Sequence, residues 1–244
     1  LNIVKYLLPN NFMGDYNRTP EAQETFKKKG RPKGEIKFGF SLDEEQKETK
    51  RIILENTVVA IKGKAGTGKT AVAIQVGLDL LFKKEIERII IARPFVTAGE
   101  DIGYLPGGVD DKMAYLTAPI YNIMHELIGK EKTEKLVSEG KVTISPFGFL
   151  RGNTFVNSFV LIDEAQNATM KQTELMLGRL GVNSKMVFCG DMSQCDLKTK
   201  KESGFDFFER LDINVKGVKV IKLNNSHRHE IVNEILGVYE QYKE

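Results

Sequence analysis

The sequence predicts an α/β fold in which a mostly parallel five-stranded sheet has helices on both faces. Short apolar runs rich in β-branched residues alternate with longer segments of helical periodicity. Strands that are apolar on both faces are typical of a parallel sheet covered on both sides by helices. Such sheets bind ligands at the carboxyl ends of their strands. Polar residues that directly follow the apolar runs are therefore the candidates for a functional site.

The individual elements follow from local patterns. Ser41 is the expected N-cap of the first helix, with Glu44 reaching back in a capping box, so that this helix would run to Glu55. Residues 141–145 allow a further short strand. The five strands are predicted at residues 57–61, 88–92, 159–162, 186–189 and 218–223. The remaining helices are predicted at residues 69–83, 112–129, 132–139, 169–180, 205–211 and 230–242.

Length and composition fit one domain with an N-terminal extension. The 244 residues are 41% hydrophobic and 28% charged, and the net charge of +3 is too small to demonstrate a polyanionic partner. Residues 41–244 are predicted to form the domain, and residues 1–40 an irregular arm with a basic run at 27–34. Two cysteines rule out a disulfide framework. No segment resembles a membrane helix or a signal peptide, so we expect a cytoplasmic protein without a membrane partner.

A phosphate-binding motif connects the first strand to the helix after it. It matches G-x-x-x-x-G-K-[ST] without deviation. Its glycines allow backbone N–H groups to point at phosphates, and the helix N-terminus favours negative charge there. Lys69 is expected to reach the β- and γ-phosphates of ATP, and the Thr70 hydroxyl to ligate Mg²⁺. The predicted nucleotide-binding residues in this segment are Gly63, Lys64, Ala65, Gly66, Thr67, Gly68, Lys69, Thr70 and Ala71.

Two adjacent acidic residues follow the apolar strand at 159–162. Asp163 is predicted to hold Mg²⁺ with Thr70, since a carboxylate at a neighbouring strand end is the usual second partner of this ion. Glu164 is predicted to polarise a water molecule for attack on the γ-phosphate. A water-activating base favours hydrolysis over phosphate transfer, which disfavours a small-molecule kinase.

A third polar segment, residues 190–194, ends the strand at 186–189. We expect this strand to lie between the phosphate-loop strand and the acidic strand. Asp191 and Gln194 would then lie near the γ-phosphate, where the Gln194 amide could sense it by hydrogen bonding. The alternative is a simple strand-exit turn in which Asp191 caps its own backbone.

These segments together resemble the PhoH-like ATPases, a family related to the first RecA-like domain of superfamily 1 helicases. The resemblance extends from Ser41 to the end of the chain, although Asn153 stands where the family often has Arg, so that no role is carried over to it. The residues that carry the resemblance are the phosphate loop, Ala92-Arg93-Pro94, residues 98–107, residues 150–155, Asp163-Glu164-Ala165-Gln166-Asn167, residues 190–194 and residues 228–232.

The resemblance implies a RecA-like fold, Mg²⁺-dependent hydrolysis of ATP to ADP and phosphate, and a ring-like homo-oligomer, commonly a hexamer. It also implies a link to RNA unwinding, as in some relatives. Gln46 stands where a Gln of related helicases reads the adenine edge; the alternative is an exposed helical Gln. A single RecA-like core means that a motor would need a neighbouring copy to complete its site.

Hydrolysis also calls for a positive charge at the γ-phosphate, which a neighbouring copy can supply in trans. The candidates are Arg93, Arg151, Arg179 and Arg228, of which Arg151 and Arg228 lie in family-like motifs. Surface or interface ion pairs are the alternative role.

Single-stranded RNA or DNA is a predicted partner. Lysines at 198, 200 and 201, together with the basic arm, could follow a phosphate backbone. Aromatic residues in the loops after the strands could stack on bases, with packing in the core as the alternative; these are Phe95, Tyr104, Phe147 and Phe149. The competing function is an ATP-switched nucleic-acid-binding or scaffold module without motor activity.

Overall fold

A computed structural model describes residues 37–94, 109–150, 152 and 154–242, and six strands form one sheet there. The strands are β1 (Val58–Gly63), β2 (Arg88–Arg93), β3 (Val142–Pro146), β4 (Ser158–Ile162), β5 (Lys185–Gly190) and β6 (Val218–Leu223). Seven α-helices are described with them: α1 (Glu44–Glu55), α2 (Lys69–Phe82), α3 (Val109–Ile128), α4 (Lys130–Ser138), α5 (Met170–Leu177), α6 (Phe208–Asn214) and α7 (Glu230–Gln241).

All neighbouring strands of the sheet run parallel, in the order β3-β2-β4-β5-β1-β6. The carboxyl ends of all six therefore lie at one edge. The expected place of β5 between the phosphate-loop strand β1 and the acidic strand β4 is confirmed. The α/β class with helices on both faces is confirmed as well.

The prediction of five strands was wrong by one. Residues Val142–Pro146 pair with β2 along their whole length, from Ile89 opposite Val142 to Arg93 opposite Pro146. Thr143 and Ser145 weakened the sequence signal because they alternate with apolar residues, yet both side chains are buried. The strand lies at one end of the sheet, where such a mixed pattern is tolerated.

Each face of the sheet carries its own apolar core, because alternate side chains of every strand point to opposite sides. One core packs Ile61, Ile91 and Leu161 of the sheet against helices α1 to α4. The other packs Ile162 and Phe188 against α5, α6 and the large aromatic side chains beneath them. Burial on both faces explains why the strands read as continuous apolar runs.

The first helix begins two residues later than its sequence predicts. Asp43 is the N-cap: its carboxylate accepts from the Gln46 N–H at 2.7 Å, and the Gln46 side-chain oxygen accepts from the Asp43 N–H at 3.2 Å. Ser41 lies outside the helix. The end at Glu55 is as predicted.

The chain before α1 already contacts the domain. Phe38 and Phe40 pack against the apolar core, and the Gly39 N–H donates to the Leu127 carbonyl at the end of α3 at 2.9 Å. The division at residues 40 and 41 stays a prediction, since residues 1–36 lie outside the described part. None of the described helices combines the length and the apolar character that a membrane span requires.

Candidate nucleotide site

The phosphate loop connects the end of β1 at Gly63 to the start of α2 at Lys69. Gly66 and Gly68 adopt φ angles of +89° and +80°, a region that side chains other than glycine's rarely occupy. The buried Thr67 hydroxyl donates to the Lys64 carbonyl at 2.9 Å. Left-handed glycines and this internal hydrogen bond fold the loop back over the N-terminus of α2, as a phosphate cradle requires.

Lys69 is the first residue of α2, and its side chain reaches back to the start of the phosphate loop. Its ammonium donates to the Gly63 carbonyl at 2.6 Å and to the Lys64 carbonyl at 2.8 Å. The cation is thus held at the two residues that open the loop. This position supports the predicted contact with the phosphates.

Thr70 and Asp163 are brought together from distant parts of the chain. The Thr70 hydroxyl, in the first turn of α2, donates to Asp163 Oδ1 at 2.7 Å. Burial raises the pKa of the Asp163 carboxyl above its usual range; the Arg93 guanidinium opposes this shift, and the neighbouring Glu164 carboxylate adds to it. A hydroxyl and a carboxylate oxygen at this spacing are the hard donors that Mg²⁺ prefers, so these two residues fit the implied ion.

Arg93, at the end of β2, bridges the two acidic residues. Its Nε lies 3.0 Å from Asp163 Oδ2, and its Nη2 lies 3.1 Å from Glu164 Oε1. The sequence suggested Arg93 only as one of four transition-state arginines. The structure gives it a contact within its own chain, where it keeps both carboxylates at the strand ends.

Glu164 adopts a left-handed backbone conformation, with φ 54° and ψ 41°. A non-glycine residue in this region carries strain that its surroundings must hold. Its carboxylate accepts from Arg93 on one oxygen and from the Gln166 side-chain amide, at 2.7 Å, on the other. Two donors therefore fix the side chain of Glu164 at this strained turn.

Asp191 links the end of β5 to the phosphate loop. Its Oδ2 accepts from the Ala65 N–H at 3.1 Å, and its own N–H donates to the Gln166 side-chain oxygen at 3.0 Å. The Gln194 side chain is exposed, while its carbonyl accepts from Gln166 at 3.3 Å. Asp191 also caps Ser193, as the alternative of a strand-exit turn expects. The predicted place of Asp191 and Gln194 near the γ-phosphate stays a prediction.

Gln46 is buried rather than exposed, and it lies against the phosphate loop. Its Nε2 is 3.4 Å from the Thr67 carbonyl and 2.8 Å from His227 Nε2. Its oxygen accepts from the Asp43 N–H of the capping box. Both ends of the amide thus have protein partners, and the predicted contact with adenine stays a prediction.

The segment after β6 contacts the phosphate loop at Gly66. The His227 N–H donates to the Gly66 carbonyl at 2.9 Å. Arg228 lies so close to the same glycine that a Cβ added there would be 2.7 Å from Arg228 Cγ. Arg228 therefore contacts the phosphate loop of its own chain.

Arg179, the other predicted arginine among the described residues, does not lie at this edge. The Arg179 carbonyl accepts from Phe155 N–H, which precedes β4 and so lies at the opposite edge of the sheet. Arg151, like Phe95 and Tyr104, lies outside the described residues. Phe147 is buried, which favours its alternative as a core residue.

Two residues that contact the predicted site residues were not themselves predicted to belong to the site. Gln166 stands in the family-like segment at 163–167 with no role of its own, and the sequence assigns no role to His227. The signal available for Gln166 was its place two residues after Glu164 at a strand exit. No sequence signal indicates that His227 meets Gln46, 181 positions earlier in the chain.

Comparison with known proteins assigns the family. The family described as PhoH-like protein matches residues 41–240. The chain belongs to the PhoH-like family. It is 37% identical over 198 residues to a PhoH-like protein of Synechocystis, covering 80% of this chain and 60% of that protein. It is 36% identical over 198 residues to one of Bacillus subtilis, with 80% and 62% covered.

The PhoH-like chain thus spans about three fifths of the length of these curated relatives. Among solved structures it is similar to the SWI2/SNF2 ATPase core of Sulfolobus solfataricus in complex with dsDNA, with a TM-score of 0.46 and 13% identity, covering 78% of this chain and 46% of that one. The family resemblance seen in the sequence is confirmed. The intact phosphate loop at the end of β1 makes this PhoH-like chain a P-loop NTPase.

Proposed function

We propose that the protein binds ATP with Mg²⁺ and hydrolyses it to ADP and phosphate. The observation that carries this proposal is the 2.7 Å contact between Thr70 and Asp163, with Glu164 next in the chain. This contact joins the phosphate loop to the acidic strand end. A phosphate cradle, two hard oxygen donors and a carboxylate held nearby are the parts that phosphoryl transfer to water requires.

The binding step uses the phosphate loop. Backbone N–H groups between Gly63 and Thr70 would contact the phosphates, and Lys69 would exchange its two carbonyl partners for phosphate oxygens. Thr70 and Asp163 would hold Mg²⁺, which neutralises charge on the β- and γ-phosphates when bound. Gln46 would support the phosphate loop through its contact with the Thr67 carbonyl. After releasing His227, it could instead contact the adenine of ATP.

The chemical step uses Glu164 as a general base. Water oxygen attacks the γ-phosphorus, the bond from that phosphorus to the bridging oxygen breaks, and the proton of the water passes to a Glu164 oxygen. ADP leaves with the bridging oxygen. Arg93 keeps the Glu164 side chain in place, because its guanidinium lies 3.1 Å from the carboxylate.

The test compares wild type with Glu164→Gln, which keeps the shape of the side chain and removes the base. We expect turnover to fall by about 10²–10⁴-fold, while the affinity for ATP with Mg²⁺, measured with a fluorescent nucleotide, is retained. Asp163→Asn serves as the comparison, since it should weaken the Mg²⁺-dependent part of binding. Turnover in Glu164→Gln equal to wild type would refute the assignment of the base.

We also propose self-association and binding of single-stranded RNA or DNA. Helix α7 exposes apolar residues at helical spacing, including Ile231, Ile235 and Val238, and begins two residues after Arg228. A neighbouring copy packed there would lie close to the phosphate loop. This arrangement supports a ring homo-oligomer, for which a hexamer is the expected size; a mass measurement of the assembly tests it.

Nucleic-acid binding is supported by the exposed lysines at 198, 200 and 201, which follow the end of β5. Binding of single-stranded RNA should weaken steeply as salt rises, because released counterions drive it. Turnover stimulated by RNA together with duplex separation would support a motor. Stimulation without separation would favour the ATP-switched module. The cytoplasmic location stays a prediction.

A further inference from the structure

The buried side chain of Gln166 connects the catalytic carboxylate to the phosphate loop. We propose that Gln166 is a positioning residue, which fixes Glu164 for proton abstraction and makes that position depend on the end of β5 and on Ala65. This proposal rests on the proposed function, because it takes Glu164 as the base. Neither the motif nor the family match gives Gln166 this role.

The contacts of Gln166 leave its amide one orientation. Its side-chain oxygen accepts from the Asp191 N–H at 3.0 Å, and its Nε2 donates to Glu164 Oε2 at 2.7 Å and to the Gln194 carbonyl at 3.3 Å. Gln166 is 1% exposed. Reversal of the amide would put its nitrogen against an N–H and its oxygen against a carboxylate and a carbonyl, in a place that water does not reach.

The space around the amide is tight. A Cβ added to Gly190 would be 2.9 Å from the Gln166 oxygen and 2.7 Å from the Phe205 ring. Gly190 is thus needed for the close approach of the strand end to the amide. The amide of Gln166 therefore packs directly against the end of β5.

Glu164 needs such a support. Its backbone is left-handed, and its side chain is 38% exposed, so that without a tether it would turn to solvent. Arg93 holds one carboxylate oxygen and Gln166 the other. Two donors fix the plane of a carboxylate, whereas one donor leaves it free to rotate.

The Gln166 amide also links the phosphate loop to Glu164 through a chain of hydrogen bonds. The Ala65 N–H donates to Asp191, the Asp191 N–H donates to Gln166, and Gln166 donates to Glu164. Phosphates that draw on the Ala65 N–H would shift the Asp191 carboxylate and, through Gln166, the carboxylate of Glu164. Alignment of the base would therefore follow occupation of the loop.

The experiment measures kcat, KM and nucleotide affinity for Gln166→Glu and Gln166→Asn in the full chain. The first variant still accepts from the Asp191 N–H but repels Glu164 instead of donating to it; the second is too short to span both partners. Gln172→Glu is the matched control, because Gln172 caps the backbone of α5 and its oxygen acceptor survives the change. Thermal unfolding checks that each variant is folded.

We expect kcat to fall by about tenfold to a hundredfold in both Gln166 variants, since a misplacement near 1 Å has that effect, with nucleotide affinity and KM retained. Gln172→Glu should behave as wild type. In the Glu164→Gln background, Gln166→Glu should cause no further loss, because two residues that act as one unit are not additive.

Several results would overturn the proposal. An unchanged kcat in the folded Gln166 variants, while Glu164→Gln is inactive, removes the role of Gln166 alone. A parallel loss of affinity and kcat, or additivity with Glu164→Gln, assigns Gln166 a structural role instead. Full turnover in Glu164→Gln, or none in wild type, overturns the proposed function and this role with it.

Discussion

Replacing Arg93 with Met should destabilise the domain by about 3 kcal/mol, because it leaves a buried carboxylate without its cation. The Asp163 side chain is 5% exposed and that of Arg93 is 19% exposed, with 3.0 Å between Arg93 Nε and Asp163 Oδ2. Met fills most of the space of the arginine stem, so that the change removes charge rather than volume.

The magnitude follows from burial. Removing one partner of a buried ion pair costs about 3–5 kcal/mol. We take the lower end, because the Thr70 hydroxyl still donates to Asp163 and because the Glu164 carboxylate is exposed enough to turn to water. In a domain of this size each kcal/mol shifts Tm by roughly 2–4 °C. The melting temperature should therefore fall by about 6–12 °C.

Thermal unfolding with and without Mg²⁺ and ADP measures the effect. Arg210→Met is the control, since Arg210 is exposed on α6. The free energy of unfolding of this variant should lie within about 0.5 kcal/mol of that of wild type. Adding Asp163→Asn to Arg93→Met should recover part of the loss, because both charges of the pair are then gone. A melting temperature of Arg93→Met within about 2 °C of wild type, or a double variant less stable than the single one, would refute this reasoning.

Three further predictions concern other residues of the chain. Arg228→Ala and Arg151→Ala should each lower turnover more than ATP affinity; kcat unchanged in both would remove them from the mechanism. Gly63→Ala should cost about 1–3 kcal/mol, measured by urea unfolding, because the new Cβ would lie 2.5 Å from the Leu223 carbonyl of β6; an unchanged midpoint would contradict this close approach. A thiol reagent should modify Cys195 in the native protein and reach Cys189 only after unfolding, since burial raises the pKa of the Cys189 thiol well above its usual value; rapid labelling of both thiols would show that β5 opens.

The phosphate loop and its acidic partner were predictable because each is a local pattern at a strand end. Gly63 to Thr70 needs only a strand before it and a helix after it, and both are strong in the sequence. A parallel sheet then brings Asp163 to the same edge whatever the exact strand order. The 2.7 Å contact between Thr70 and Asp163 needs, besides that rule, the place of β4 two strands away from β1.

The contacts of Arg93 and Gln166 were not predictable, because they depend on which strands are neighbours. Arg93 meets Asp163 since β2 pairs with β4, and the two residues are 70 positions apart. The sequence favoured Arg151 and Arg228, which lie in family-like motifs, over Arg93. Gln166 meets Asp191 because β4 pairs with β5, which the sequence suggested but without side-chain positions.

The start of α1 shows how a distant contact decides between two local solutions. Ser41 with Glu44 and Asp43 with Gln46 both match a capping box, and local energetics alone do not separate them. In the folded chain Gln46 also lies against Thr67 and His227. Burial at the phosphate loop holds Gln46 at the third helical position, and the helix begins accordingly at Glu44.

The position of β5 has a consequence for how nucleic acid would act on the site. Asp191 can reach both Ala65 and Gln166 only because β5 lies between β1 and β4. The exposed lysines at 198, 200 and 201 follow the same strand end, with Gln194 between them and Asp191. A polyanion bound by these lysines would displace the segment that supports Gln166, and thus Glu164, without contacting Lys69 or Thr70.

On this geometry RNA should change kcat more than ATP affinity, and the change should be lost in Gln166→Glu. RNA that alters ATP affinity alone would contradict a coupling through β5.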